Sequence, residues 1–255
     1  MSAANLYTPS TLNDWDAPSR ASAEVILPIV FGLIGRPASV FDIGCSIGTW
    51  LSVCGALGVT DRLGTDGDYV DRAALRIPTD QFLAWDLAQP LRIDRRFDLA
   101  MSVEVAEHLP PGRSESLVAE LCGAAPVVLF SAAIPFSGGT GHINEQWPGY
   151  WAGLFAEHGY TPVDCIRSRV WQDERVAWWY AQNIFIYVSD EAATAHGLRD
   201  QHGFGQCLPL IHPYLYRSYA HGHYQQFRRQ VLGRFPRIRA AAARVGGQRK
   251  MPSWD

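Results

Sequence analysis

The run Val40-Phe41-Asp42-Ile43-Gly44-Cys45-Ser46-Ile47-Gly48-Thr49-Trp50 constrains the fold more than any other stretch of the chain. An apolar strand leads into an acidic residue, a tight glycine turn and the start of a helix. Gly44 lets the backbone reverse where a side chain would clash. Gly48 lets the next helix pack close to the strand, with its N-terminal amides facing a ligand. Such a strand-turn-helix builds a nucleotide-type cofactor site at the carboxyl end of a parallel sheet. The spacing is G-x-S-x-G rather than G-x-G-x-x-G, which disfavours NAD and FAD.

The features that follow come in the register of a doubly wound sheet. Leu63-Gly64-Thr65-Asp66 reads as a second strand, ending in a carboxylate about 20 residues after the turn, where such folds place the acid that accepts ribose hydroxyls. Asp68 is the alternative for that role. Phe82-Leu83-Ala84-Trp85-Asp86-Leu87 reads as a third strand ending at Asp86, whose carboxylate is suited to an adenine amine or, equally, to capping a turn. Arg96 to Val103 reads as a fourth strand running into Glu104-Val105-Ala106-Glu107-His108-Leu109-Pro110, which is expected to line the site.

As a set, these elements resemble the class I SAM-dependent methyltransferases over residues 38–188. The resemblance implies an α/β Rossmann-like doubly wound sheet of seven strands, mostly parallel with an antiparallel edge. It also implies S-adenosyl-L-methionine as cofactor. Asp42, Gly44, Cys45, Ser46 and Gly48 would then surround its methionine end, Asp66 would hold the ribose, Asp86 with Leu87 the adenine, and Glu104 would border the cofactor. Ser46 departs from the family pattern, which has a glycine there.

Composition agrees with one enzyme core carrying additions. The chain has 255 residues, 47% hydrophobic and 18% charged, with a net charge of −3, so it can bury a large core and has no global bias toward nucleic acid. Its five cysteines are scattered without a C-x-x-C pair, which suggests neither a zinc cage nor a disulfide framework. No apolar run approaches the roughly 20 residues of a membrane span. A cytoplasmic protein without a membrane span is therefore expected. The layout reads as an N-terminal helical cap over residues 1–37, a core over 38–190 and a C-terminal extension over 191–255, with Val25 to Ile34 a helix on the sheet. Val127 to Ser131 reads as a fifth strand, Trp147 to His158 as a helix, and Thr161 to Arg169 with Asn183 to Ser189 as an antiparallel edge pair. From Arg217 onward nine basic residues face one acid, Asp255, which reads as a solvated basic helix.

Methyl transfer is a direct in-line displacement, and a hydroxyl acceptor must lose a proton as it attacks. An oxygen acceptor therefore asks for a base or a metal. Glu104, Glu107 and His108 stand at i, i+3 and i+4, on one face if a helical turn begins there. His142 lies in the glycine-rich loop 137–145 after the fifth strand. His142 is the preferred base, with His108 as a second catalytic candidate. Glu104, Glu107, His108 and His142 could instead hold a divalent cation such as Mg2+. The E-x-x-E-H run resembles the metal-binding run of small-RNA 2′-O-methyltransferases and of polyprenyl catechol O-methyltransferases. It also resembles methyltransferases without a metal, in which these side chains bond loop backbone.

Trp151 and Phe155, four apart, are expected in the core, and Trp178 with Trp179 across an edge strand. Trp147, Tyr150 and Trp171 are candidates for a pocket wall. The stretch His142 to Trp151, with Trp179 to Asn183 and His212-Pro213, resembles a bacterial methyltransferase subgroup of glycan and secondary-metabolite assembly. These readings converge on methyl transfer to a hydroxyl of a small molecule or sugar. The expected partner is a small-molecule or saccharide acceptor, with no nucleic acid and with a homodimer left open. N-methylation, a SAM-dependent cyclisation, or a non-catalytic SAM-binding subunit are the alternatives.

Overall fold

The computed structural model describes residues 9–234, so most of the basic tail, including Ala240 to Ala243, lies outside the described residues. Seven strands form one sheet in the order β3-β2-β1-β4-β5-β7-β6. They are β1 (Ser39–Ile43), β2 (Asp61–Asp66), β3 (Phe82–Ala84), β4 (Leu99–Val103), β5 (Val127–Ser131), β6 (Tyr160–Val163) and β7 (Phe185–Ser189). β1 to β5 pair in parallel, and β7 runs antiparallel between β5 and β6.

The central strands are apolar at nearly every position because both faces are covered, as parallel sheets require. Alternate residues enter opposite cores. Val40, Leu99, Met101 and Leu129 meet Ile26, Leu27 and Val30 of α1 (Pro9–Ile34) together with Leu51 and Val53 of α2 (Thr49–Ala56). Phe41, Ala100, Val128 and Phe130 meet Leu117, Val118 and Leu121 of α3 (Ser114–Ala124), and Trp151 and Phe155 of α4 (Pro148–Glu157). Trp151 and Phe155 are 2% and 0% exposed, in the core position read for them, and Phe155 stacks on Tyr187 of β7 at 3.8 Å.

Helix α1 is longer than Val25 to Ile34. Its segment Trp15–Ile34 is long and apolar enough to cross a membrane by length and composition. Its apolar side is nonetheless taken by the sheet, with Ala23, Ile26, Leu27 and Val30 wholly buried there.

Four segments depart from the sequence expectation. β3 stops at Ala84 because Asp86 turns back to accept from the Ala88 amide (3.0 Å). β4 starts only at Leu99, since the Asp98 carboxylate is used on the Ala38 and Ser39 amides. β6 ends at Val163, short of Arg169. There the chain folds into α5 (Arg167–Val170), whose Arg167 points inward onto Asp164 and the carbonyls of Gln182 and Leu208. Trp178 and Trp179 do not straddle a strand. They open α6 (Trp178–Asn183), which is tied to α1 by the Ala177 amide on Ser22 Oγ (3.0 Å) and by Tyr180 on Ser19 (2.9 Å).

The extension read from residue 191 also shifts. α7 (Asp190–Ala195) and Leu198 pack into the core, and Phe204 bridges Val163, so the first compact unit runs to Leu210. A second unit starts at Ile211 and contains α8 (Pro213–Arg234).

Because α1 is bound by apolar burial, Leu27→Ala is expected to destabilise the chain by about 2–5 kcal/mol in urea unfolding. A loss under about 1 kcal/mol would mean that α1 does not belong to the core.

Candidate active site

The glycine turn is fixed by the end of β2. The amides of Gly44 and Cys45 both donate to the Thr65 carbonyl (2.8 and 3.1 Å), and the Ser46 amide donates to Asp66 Oδ2 (2.7 Å). Gly44 has φ +86°, and a Cβ there would lie 2.3 Å from Val105, so the turn needs a residue without a side chain. Gly48, at φ +82°, opens α2 under Ile77. Ser46, the departure from the family pattern, also adopts a left-handed backbone (φ +51°), a conformation that costs an L-residue about 1–2 kcal/mol.

A cavity of about 960 Å³ opens at this end of the sheet. Asp42, Gly44, Cys45, Ser46, Asp66, Asp86, Leu87, Glu104 and His108 all line it. Gly48, Glu107 and His142 do not. Asp66 accepts three hydrogen bonds from the protein: besides that of Ser46, one from the Gly67 amide (2.6 Å) and one from Tyr69. Burial raises it above the ordinary carboxyl range against those hydrogen bonds. Asp68 lines the cavity too, fully in solvent and paired with Arg72. Asp42 is buried at the end of β1. Burial first, and the neighbouring Asp66 second, push its carboxyl up to about 8.

Glu104, Glu107 and His108 are not presented by one helical turn. Glu104 is left-handed (φ +56°), because its amide is held by both Ser131 O and Ser131 Oγ at 3.0 Å, and the helical turn begins only at Ala106. The reversal turns the Glu104 carboxylate into the cavity, where Asn183 Nδ2 donates to it (3.1 and 3.3 Å). Burial pushes Glu104 up to about 7, with the neighbouring polar groups of Ser131, Asn183 and Glu107 opposing the rise. Glu107 is fully buried beneath the wall. Burial and the Glu104 charge raise it well above the ordinary range; its Oε1 accepts from the Ala133 amide (3.2 Å), and its Oε2 has no hydrogen-bond partner among the described residues.

His142 stands behind His108, ring edge to ring face at 4.7 Å, and its Nδ1 meets Glu145 Oε1 (2.9 Å). Glu145 also accepts from the Phe136 and Gly138 amides (2.7 and 3.0 Å), so it organises the loop. That loop reaches the cavity through Thr140. His108 is brought down to about 4 by burial and then by His142, against a hydrogen bond with the Gly141 backbone, and is neutral at physiological pH. Ligand atoms of Glu107, His108 and His142 lie within 4.8 Å of one another; Glu104 does not join them.

Several wall residues had no local signal in the sequence. Trp15, Asp16 and Ser19 come from α1, Trp50 from α2, Trp85 from after β3 and Tyr180 from α6. Asp16 anchors this wall by accepting from Thr49 Oγ1 (2.5 Å) and from Arg76 Nε and its terminal nitrogen (3.1 and 2.7 Å). Trp147 and Tyr150 are half exposed outside the cavity, and Trp171 borders a separate cleft of about 720 Å³.

The strand order and the turn at the ends of β1 and β2 define the Rossmann-like fold of the class I SAM-dependent methyltransferases. Solved structures with this fold include the magnesium protoporphyrin IX methyltransferase of Synechocystis PCC 6803 with bound S-adenosylhomocysteine. It is 15% identical, with a TM-score of 0.52 over 69% of this chain and 86% of that one. DesVI of Streptomyces venezuelae is also 15% identical, with a TM-score of 0.54 over 74% and 99%. The sugar N-methyltransferase KedS8 of Streptoalloteichus sp ATCC 53650 is 16% identical, with a TM-score of 0.51 over 66% and 87%. No protein-family model and no curated sequence matches the chain.

The two left-handed positions of the turn differ in what they tolerate. Ser46→Gly is expected to leave stability unchanged or raise it by about 1 kcal/mol, since relief of backbone strain is offset by a freer unfolded chain. Gly44→Ala is expected to cost at least about 2 kcal/mol from strain plus the clash with Val105. Equal effects of the two in urea unfolding would contradict the turn geometry.

Proposed function

We propose that the chain is an S-adenosyl-L-methionine-dependent methyltransferase acting on a hydroxyl of a small molecule or sugar. The observation that carries this reading is a single cavity that unites the Gly44 turn, Asp66 and the buried Glu104 carboxyl. The protoporphyrin methyltransferase with the same fold holds S-adenosylhomocysteine, which supports the cofactor; the sugar N-methyltransferase supports a small acceptor and keeps N-methylation as the alternative.

In this reading Asp42 takes the charged methionine end, the Gly44–Gly48 turn borders it with its Gly44, Cys45, Ser46 and Gly48 amides already bonded within the protein, and Asp66 with Asp68 face the ribose. Asp86 and Leu87 border the adenine. Glu104 is better placed than His142 to act as base. It faces the cavity and titrates near neutrality, where a base combines availability with strength, whereas His142 is outside the cavity wall. Trp15, Trp50 and Tyr180 exclude water around the acceptor, and orientation in such a site supplies a large part of the rate.

A second reading rests on the Glu107, His108 and His142 cluster. Two imidazoles and a carboxylate fit a borderline divalent cation better than Mg2+, with Glu145 orienting the His142 ring. A cation there would supply Lewis-acid lowering of the acceptor hydroxyl pKa. Chelator-treated protein keeps its turnover if Glu104 is the base and loses it if a cation is required.

Two outcomes test the primary reading. Glu104→Gln is expected to lower kcat by about 10²–10⁴-fold while S-adenosylhomocysteine still binds; undiminished turnover removes Glu104 from the chemistry. Asp42, with its free carboxyl raised to about 8, is mostly protonated at pH 7, and a cationic methionine end favours its ionised form. Cofactor binding at pH 7 is therefore expected to release a proton, the release fading as pH rises past 8. Calorimetry in buffers of different ionisation enthalpy measures it, and proton uptake on binding would contradict the assignment of Asp42.

A further inference from the structure

The cavity has two walls that lie far from each other in sequence: Ala84 to Ala88 after β3, and Val103 to Pro110 after β4. Both meet at one buried ion pair outside the cavity. Arg113, 5% exposed, closes the short turn that follows Pro110, and its terminal nitrogen lies 2.8 Å from Glu120 Oε2 of α3, itself 12% exposed. The Arg113 Nε donates to the Leu87 carbonyl (2.9 Å), and Glu120 Oε1 accepts from the Leu91 amide (2.9 Å). A further Arg113 nitrogen donates to Ser116 Oγ. The pair therefore grips both ends of the segment 87–91, which lies outside strand and helix and is otherwise braced only locally, by the Gln89 amide on the Asp86 carbonyl (2.9 Å), the Ala88 amide on the Asp86 carboxylate and the Trp85 ring on the Gln89 carbonyl.

We infer that Arg113 and Glu120 are positioning residues for cofactor recognition: they hold Leu87, and with it Asp86, at the spacing from the Leu109–Pro110 wall that an adenine ring needs. The inference rests on the cofactor assignment above. Three features favour a positioning role over a generic structural one. Arg113 is buried and Glu120 largely so, where a charge pair is retained only with full hydrogen bonding. The planar guanidinium spends separate nitrogens on a backbone carbonyl and on a carboxylate, a geometry that lysine cannot reproduce. The backbone atoms it holds belong to a residue that touches the cavity.

The test uses the full chain and two probes that share adenosine but differ at the methionine end: S-adenosylhomocysteine and 5′-methylthioadenosine. Arg113→Lys is expected to weaken both by the same factor, roughly ten- to a hundredfold, the equivalent of one lost hydrogen bond to a charged group. Near-UV circular dichroism should stay native. Asp42→Asn, at the opposite end of the site, is expected to weaken S-adenosylhomocysteine far more than 5′-methylthioadenosine. Where Arg113→Lys does not fold, Glu120→Gln serves, because it keeps an oxygen for Leu91 while losing the charge that orients Arg113. A folded variant that binds both probes with wild-type affinity overturns the inference. So does a variant that loses only S-adenosylhomocysteine. Wild-type protein that binds neither probe overturns the cofactor assignment itself, and the inference with it.

Discussion

The site depends on the grip that the end of β2 has on the turn after β1. Thr65 offers one carbonyl to two successive amides, and Asp66 offers one carboxylate oxygen to a third. Three donors that would otherwise be orphaned in a buried turn are thereby satisfied, and the backbone is held left-handed at Gly44, Ser46 and Gly48. With the turn fixed, Val105 can press against Gly44, which brings the end of β4 to the same mouth. The cavity then follows from topology, because β1 and β4 are neighbours and the chain crosses from one side of the sheet to the other between them.

What fills that mouth is carboxyl-rich and unequal in charge. Asp42, Glu104 and Glu107 are all raised by burial, but for different ends. Asp42 lines the cavity at the end of β1, and among the described residues its carboxyl makes no hydrogen bond or ion pair. Glu107 lies beneath the wall and is raised further by the Glu104 charge, so the two titrate as a pair. Pushing pKa values apart within a shared site is how similar groups acquire different roles. His108 behind them stays neutral, so the mouth gains no compensating positive charge from it.

Local chemistry made the turn legible in the sequence. Two glycines, an acidic residue and an apolar run require only near neighbours, and the spacing to Asp66 and Asp86 follows from the length of a strand-helix-strand unit. The seven strands were likewise readable from short apolar runs, although their ends were not. β3 and β6 stop where side chains, Asp86 and Arg167, find distant or backbone partners. The E-x-x-E-H run misled for the same reason. Helical spacing placed its acids on one face, but two hydrogen bonds from the Glu104 amide to Ser131, 27 residues away, reverse the backbone there. Trp15 and Tyr180 reach the cavity because Ser19 and Tyr180 meet across 161 residues, which no local pattern records.

The central claim is that this mouth holds S-adenosyl-L-methionine. Its most direct test is a titration of S-adenosylhomocysteine into the wild-type chain, followed by protection of backbone amides from hydrogen exchange. The account requires one site with an affinity of about micromolar, roughly −8 kcal/mol, and protection concentrated at Gly44 to Gly48 and at Asp86 to Ala88. Binding with protection elsewhere, or no binding at all, would contradict it.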